Sequence, residues 1–176
     1  MLHHPTVDQL HQLRLTGMAK ALASQAQQPD ISQLSFEERL GLLIDSELAE
    51  RESRQNTARL KRARLKQAAT PEDVDFRHPR GLDRALFARL MTGRWVGDNQ
   101  NVLICGPTGV GKTFLACALA NQACRQGHSA FYVRLPRLLP ALAIGRADGS
   151  YAKTLAQLAK TDVLLIDDWG LSPLTD

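Results

Sequence analysis

Apolar residues recur at helical spacing in the first third of the chain and gather into short unbroken runs in the last. Val7, Leu10, Leu13, Met18, Ala21 and Leu22 fall close to a 3.6-residue period, which predicts one amphipathic helix over residues 7–28, preceded by Pro5 and closed by Pro29 and Asp30. Ser35 stands three residues before Glu38, the spacing of a capping box, so a second helix is expected to open there. Phe36, Leu40, Leu43, Ile44 and Leu48 give its first half an apolar stripe that calls for a partner surface. From Glu50 to Lys66 the same segment is polar on most sides. If helical from 36 to 68 it would be about 50 Å long at ~1.5 Å per residue, with Pro71 as the stop.

"PEDVDFRHPRG" reads as a linker, with two prolines and a glycine, and a further helix is expected from Leu82 to about Thr92, carrying Leu86, Phe87, Leu90 and Met91. After Gln100 the pattern changes. "NVLIC", "SAFYVR" and "VLLIDD" are short apolar runs that predict three strands. Between them, "FLACALANQACRQG", residues 135–145 and residues 150–160 predict helices, the first closed by Gly127. Strands alternating with helices are the signature of a parallel sheet covered by helices. The expected architecture is therefore α/β, a parallel sheet with flanking helices that stops after its third strand, preceded by a small all-helical N-terminal domain. The expected divisions are residues 1–70, a linker and helix over 71–98, and a nucleotide-binding part over 99–176.

Composition adds limits. With 44% hydrophobic and 23% charged residues, the 176-residue chain is globular in character. No apolar run nears the roughly 20 residues that span a bilayer, and the start lacks the charged-then-apolar order of a signal peptide, so a cytoplasmic protein without membrane partners is expected. Cys105, Cys117 and Cys124 show no CxxC spacing and are expected to be buried thiols; the five histidines, His3, His4, His11, His78 and His128, show no metal-ligand spacing. The formal net charge of +4 matters less than its distribution. Between Ser53 and Pro71 stand Arg54, Arg59, Lys61, Arg62, Arg64 and Lys66 with no acidic residue among them. Such a run is either a solvated helix face or a surface for phosphates. The absence of aromatic residues favours duplex backbone over stacked single strands. If about four phosphates are met, the log–log salt slope would be roughly −3.6.

The chemistry sits in "GPTGVGKT". Residues Gly106, Pro107, Thr108, Gly109, Val110, Gly111, Lys112 and Thr113 match G-x-x-x-x-G-K-[ST], between a predicted strand and a predicted helix as the motif requires. The glycines let backbone N–H groups turn inward onto phosphate oxygens at a helix N-terminus. Lys112 then neutralises the β and γ phosphates of ATP, and the Thr113 hydroxyl ligates Mg²⁺. Asp167, 55 residues after Lys112 at the end of an apolar run, fits the metal-side acid. Asp168 beside it is a candidate to polarise an attacking water. A strand-ending acid pair can also be no more than a solvated turn.

"NVLICGPTGVGKTFLACALANQACRQGHSAFYVR", "DVLLIDDWGLSPL" and "LSFEERLGLLIDSELAERESRQN" together resemble the IstB-like ATP-binding proteins of insertion sequences, AAA+ ATPases related to the DnaC helicase loaders. The resemblance runs over nearly the whole chain. It implies a P-loop AAA+ sheet and a transposition helper that binds ATP, assembles on duplex DNA by self-association, and recruits or stimulates a transposase. It also implies phosphate and magnesium binding by Gly106 to Thr113, metal service by Asp167 and a hydrolytic role for Asp168. Phe114 departs from the histidine common in relatives. AAA+ domains of this family continue into a polar sensor, an arginine finger and a helical lid, which the eight residues after Asp168 cannot hold, so the full-length protein is expected to be an ATPase and this chain its first part. Competing readings are a replicative helicase loader, a truncated non-hydrolysing DNA- or partner-binding fragment, and a small P-loop kinase.

Overall fold

A computed structural model describes residues 5–78 and 81–170. His3 and His4, the linker's Pro79 and Arg80, and the closing "LSPLTD" lie outside the described residues. The chain divides into two compact units, Met1–Thr57 and Ala58–Asp176, so residues 58–70 group with the second.

In the first unit the one helix expected over 7–28 is two, α1 (Pro5–Gln12) and α2 (Thr16–Gln25). Arg14 breaks them at φ 60, a left-handed conformation that periodicity cannot reveal. A 3-10 turn, Pro29–Gln33, follows. α3 (Phe36–Ala63) opens with the predicted capping box: Ser35 N–H donates to Glu38 Oε2 at 2.8 Å and Glu38 N–H to Ser35 Oγ at 3.2 Å. It ends at Ala63 rather than near 68, where Arg64 takes φ 51.

The expected apolar stripe does not dock. Phe36, Ile44 and Leu48 are exposed, at 72%, 45% and 59%. α3 meets α2 on another face, where a Cβ built on Gly17 would stand 2.5 Å from the Ser46 carbonyl oxygen. The buried Glu47 carboxylate accepts the Gly17 and Met18 N–H groups at 2.7 and 3.3 Å. Both belong to the first turn of α2, whose N–H groups have no partner within the helix, so Glu47 serves as a cap delivered from another helix.

In the second unit a 3-10 turn (Pro71–Asp73) is tied by Thr70 N–H to Asp73 Oδ2 at 3.0 Å. α4 (Arg84–Met91) is capped by Asp83, which accepts from Ala85 and Leu86 N–H. A short α5 (Arg94–Gly97), which the sequence pattern did not announce, follows Gly93 at φ 74. Then come α6 (Lys112–Arg125), β1 (Ala130–Arg134), α7 (Leu135–Asp148), α8 (Tyr151–Ala159) and β2 (Val163–Asp167). β1 and β2 pair in parallel, from Ala130 opposite Val163 to Arg134 opposite Asp167.

The expected first strand, "NVLIC", is not one among the described residues, so the sheet has two strands rather than three and the unit is mostly helical. Residues 101–105 still alternate, with Val102 and Ile104 half-buried and Asn101, Leu103 and Cys105 exposed. The segment thus has a strand's period without a strand's partner, and ladder hydrogen bonds are what a strand requires. Cys105 is accordingly exposed, against expectation, while Cys117 and Cys124 are buried thiols as expected. The core lies along α6. One apolar cluster joins Ala69, Val74, Phe87, Leu115, Cys117, Ala118 and Leu119; a second joins Ala63, Ala120, Ala123, Cys124, Ala130 and Val163. Among the described residues no helix is long and apolar enough to cross a membrane.

Candidate functional site

The phosphate loop is built from three left-handed glycines. Gly106, Gly109 and Gly111 have φ 151, 87 and 90, values that side chains rarely adopt, which is why glycine stands at each. Gly111 caps α6 without a side-chain hydrogen bond, so the first N–H groups of that helix are left to a ligand. Lys112 Nζ donates to the Gly106 and Pro107 carbonyl oxygens at 2.8 and 2.7 Å, folding over the loop. Phe114 is partly buried and packs against the first apolar cluster.

Thr113 is the point where the loop meets the acid. Its Oγ1 lies 3.2 and 3.1 Å from the two oxygens of Asp167, at the end of β2. The Asp167 carboxylate also accepts Tyr132 OH at 2.7 Å and the Asp168 N–H at 3.0 Å, and the Lys66 ammonium stands 3.7 Å away. Burial works to raise the Asp167 pKa. Hydrogen bonds from Tyr132, Asp168 and Thr113, with the Lys66 charge, outweigh it and hold the group below its ordinary value. Burial pushes the Tyr132 phenol well up, and its bond to Asp167 adds to the shift, so it stays a donor. Asp168 sits at φ 59 and its Oδ2 accepts from Arg134 Nε. The hydrogen bond to Asp168 raises the Arg134 pKa further.

Tyr132 and Arg134 were not singled out from sequence. Both belong to β1 at period two, near the strand end, and Arg134 pairs in register with Asp167. The signal available was that alternation, two polar residues of one face at the end of an apolar strand. It becomes readable only once β1 is known to neighbour β2.

The basic run is divided. Arg54 Nη2 lies 3.7 Å from Glu47, Arg59 Nη1 donates to the Cys124 carbonyl at 3.1 Å near the end of α6, and Lys66 is on Asp167. Lys61, Arg62 and Arg64 are exposed.

The donor set at the acid is all oxygen. Among the described residues no group of three or more His, Cys, Asp or Glu could hold a metal alone. Thr113 and Asp167 fit Mg²⁺, which keeps several waters and takes few protein ligands beside phosphate oxygens.

A glycine loop on the N-terminus of a helix, with a strand-end carboxylate on the threonine that follows the loop lysine, defines a P-loop nucleotide-binding protein. The family profile described as "IstB-like ATP binding protein" matches residues 8–176. The chain is 54% identical over 177 residues to "Insertion sequence IS1162 putative ATP-binding protein" of Pseudomonas fluorescens, covering all of this chain and 77% of that protein. It is 49% identical to a "Putative insertion sequence ATP-binding protein" of Sinorhizobium fredii, covering all of this chain and 72% of the relative. It is 32% identical to "Insertion sequence IS21 putative ATP-binding protein" of Pseudomonas aeruginosa, covering 94% of this chain and 62% of the relative. The chain belongs to the IstB-like ATP-binding proteins of insertion sequences, the transposition helpers of the IS21 family. It spans about three quarters of the length of the first two of these relatives.

Proposed function

We propose that this chain holds Mg-ATP between the Gly106–Thr113 loop and Asp167, and that the protein it represents assembles on duplex DNA when loaded and recruits or stimulates a transposase. The observation that carries the reading is the approach of Thr113 Oγ1 to Asp167, 3.1 Å between residues 54 apart in sequence. Thr113 and Asp167 would hold Mg²⁺, which would supply charge neutralisation for the phosphates. The chain's own groups do the rest. The loop N–H groups grip the phosphates, Lys112 leaves the Gly106 and Pro107 carbonyls for phosphate oxygens, and Tyr132 orients the Asp167 carboxylate. Asp168 is the candidate to polarise water. Its Oδ2 accepts from Arg134 Nε, so that role requires Arg134 to let go.

The DNA part of the reading rests on Lys61, Arg62 and Arg64, exposed at the end of α3 and just after it. Arg54 is itself half-exposed, and the buried Glu47 it approaches at 3.7 Å keeps the closer Arg51 at 2.7 Å when Arg54 leaves. Three phosphate contacts give a log–log salt slope of about −2.7, independent of sequence.

The test is equilibrium binding of a fluorescent ATP analogue with Mg²⁺ to the native chain and to Lys112→Ala. A charge-assisted hydrogen bond is worth ~1.5–3 kcal/mol, so Lys112→Ala should weaken binding by about ten- to a hundredfold. Equal affinity in the two proteins would remove the nucleotide reading. Duplex binding unaffected by Mg-nucleotide would remove the coupling to DNA.

A further inference from the structure

Lys66 closes the basic run, beyond the end of the helix that carries most of it. α3 ends at Ala63, which is fully buried, and Arg64 changes the chain direction at φ 51. Leu65 packs against both apolar clusters, and Ala69 is fully buried in the first. The Cys117 thiol, one turn of α6 beyond Thr113, lies against the backbone of Lys66 and Gln67. From this pinned backbone the half-exposed ammonium comes within 3.7 Å of Asp167 Oδ2. The same oxygen accepts Thr113 Oγ1 at 3.1 Å and Tyr132 OH at 2.7 Å.

We propose that Lys66 is a resident cation that Mg²⁺ exchanges for at Asp167, so that loading the nucleotide site releases an ammonium into the basic segment. The proposal rests on the nucleotide reading of the site. At 3.7 Å the contact is an ion pair rather than a hydrogen bond, so it can be exchanged without leaving a buried donor unsatisfied. A divalent ion on the same carboxylate repels the ammonium and outcompetes it on charge. Lys61, Arg62 and Arg64 are exposed already. Lys66, once released, makes a fourth cation for a polyanion in the same segment. Linkage requires the converse as well: a DNA phosphate that captures Lys66 vacates Asp167 for the metal, so duplex and Mg-nucleotide strengthen each other by one factor.

Lys66→Met keeps the apolar stem and removes the charge, and Lys66→Arg keeps the charge. The measurements are the Mg²⁺ concentration that half-saturates binding of a fluorescent ATP analogue, and the affinity and salt slope for a random-sequence duplex with and without Mg-nucleotide. The Lys66 ammonium is half-exposed and screened by solvent at 3.7 Å from the acid, so the expected factors are about two- to fivefold. In the native chain, Mg-nucleotide should tighten duplex binding by that factor and steepen the salt slope by about 0.9, one further phosphate. Lys66→Met should need two- to fivefold less Mg²⁺ and lose the linkage, and Lys66→Arg should retain both native behaviours. A Lys66→Met protein with the native Mg²⁺ requirement overturns the exchange. One that needs more Mg²⁺ or binds nucleotide worse makes Lys66 a phosphate ligand and also overturns it. Failure of the native chain to bind nucleotide overturns the functional reading itself, and the exchange with it.

Discussion

The two units are held by different physics. In the second, α6 alone supplies eight buried residues, from Leu115 to Cys124, and Phe87, Ala130 and Val163 close around them. In the first, the buried residues among those described are Gly17, Ala19, Gln25 and Glu47, with no large apolar side chain among them, while Phe36, Leu42, Ile44 and Leu48 are exposed. One unit is closed by apolar burial, the other by a close backbone approach at Gly17 and a carboxylate on a helix end. The difference bears on the proposed function, because the helix that forms the core of the second unit also carries the Gly106–Thr113 loop at its N-terminus. A loop seated on the most buried element is held still, which is what a preorganised anion site requires.

The strongest way to break this comparison is Phe87→Ala. Phe87 is 4% exposed in the first apolar cluster and meets Phe76 edge to face, with ring centroids 5.7 Å apart. Removing a buried phenyl ring costs ~3–5 kcal/mol through lost transfer and a cavity. Urea unfolding of the full chain should lose that much from the transition reported by α6. A loss under ~1 kcal/mol would mean that α6 does not anchor a packed core.

Gly17→Ala tests the other unit. Inside an ordinary helix this change stabilises by roughly 0.5–1 kcal/mol. Here the new methyl would meet backbone, 2.5 Å from Ser46 O and 2.6 Å from Glu47 Cα, and backbone cannot rotate aside. Overpacking of this kind costs ~1–3 kcal/mol, so α2 should come away from α3 while nucleotide affinity stays native. A stabilised variant would show that the close approach is not what holds the first unit.

What sequence disclosed followed from range. The capping box at Ser35 and Glu38, the glycine loop and the helix after it each depend on a few neighbouring residues, and each stands where the pattern placed it. Asp167 could be matched to Thr113 because strand-end acids follow such loops at a recognisable distance. The failures are nonlocal. Nothing in "NVLIC" states whether a neighbour will pair with it, and nothing in the Phe36–Leu48 stripe states what will cover it. Tyr132, Arg134 and Lys66 acquire meaning only from register and chain direction, since each reaches an acid more than 30 residues away. Arg14 and Arg64 break helices at positive φ with ordinary helix-forming side chains, so no residue type announced either break.

The smallest expected effect separates the units by acid. Glu47 sits below its ordinary pKa chiefly because Arg51 Nε donates to it at 2.7 Å; burial opposes this, and the Gly17 and Met18 N–H groups add to it. A depressed folded pKa contributes stability that is fully present above the ordinary glutamate value of about 4.3 and is lost as pH falls through the folded value. In the second unit Glu72, held by Arg125 at 2.6 Å, has its pKa lowered to about 2 and keeps its pair further into acid. Amide exchange, corrected for intrinsic rates, should therefore show Gly17 and Met18 losing protection below the usual glutamate range while the α6 amides keep theirs. Glu47→Gln should flatten that dependence, because its amide carries no titrating charge. Loss of α6 protection ahead of Gly17 would reverse the assignment, placing the acid-sensitive contact in the nucleotide unit and leaving the first unit held by something other than Glu47.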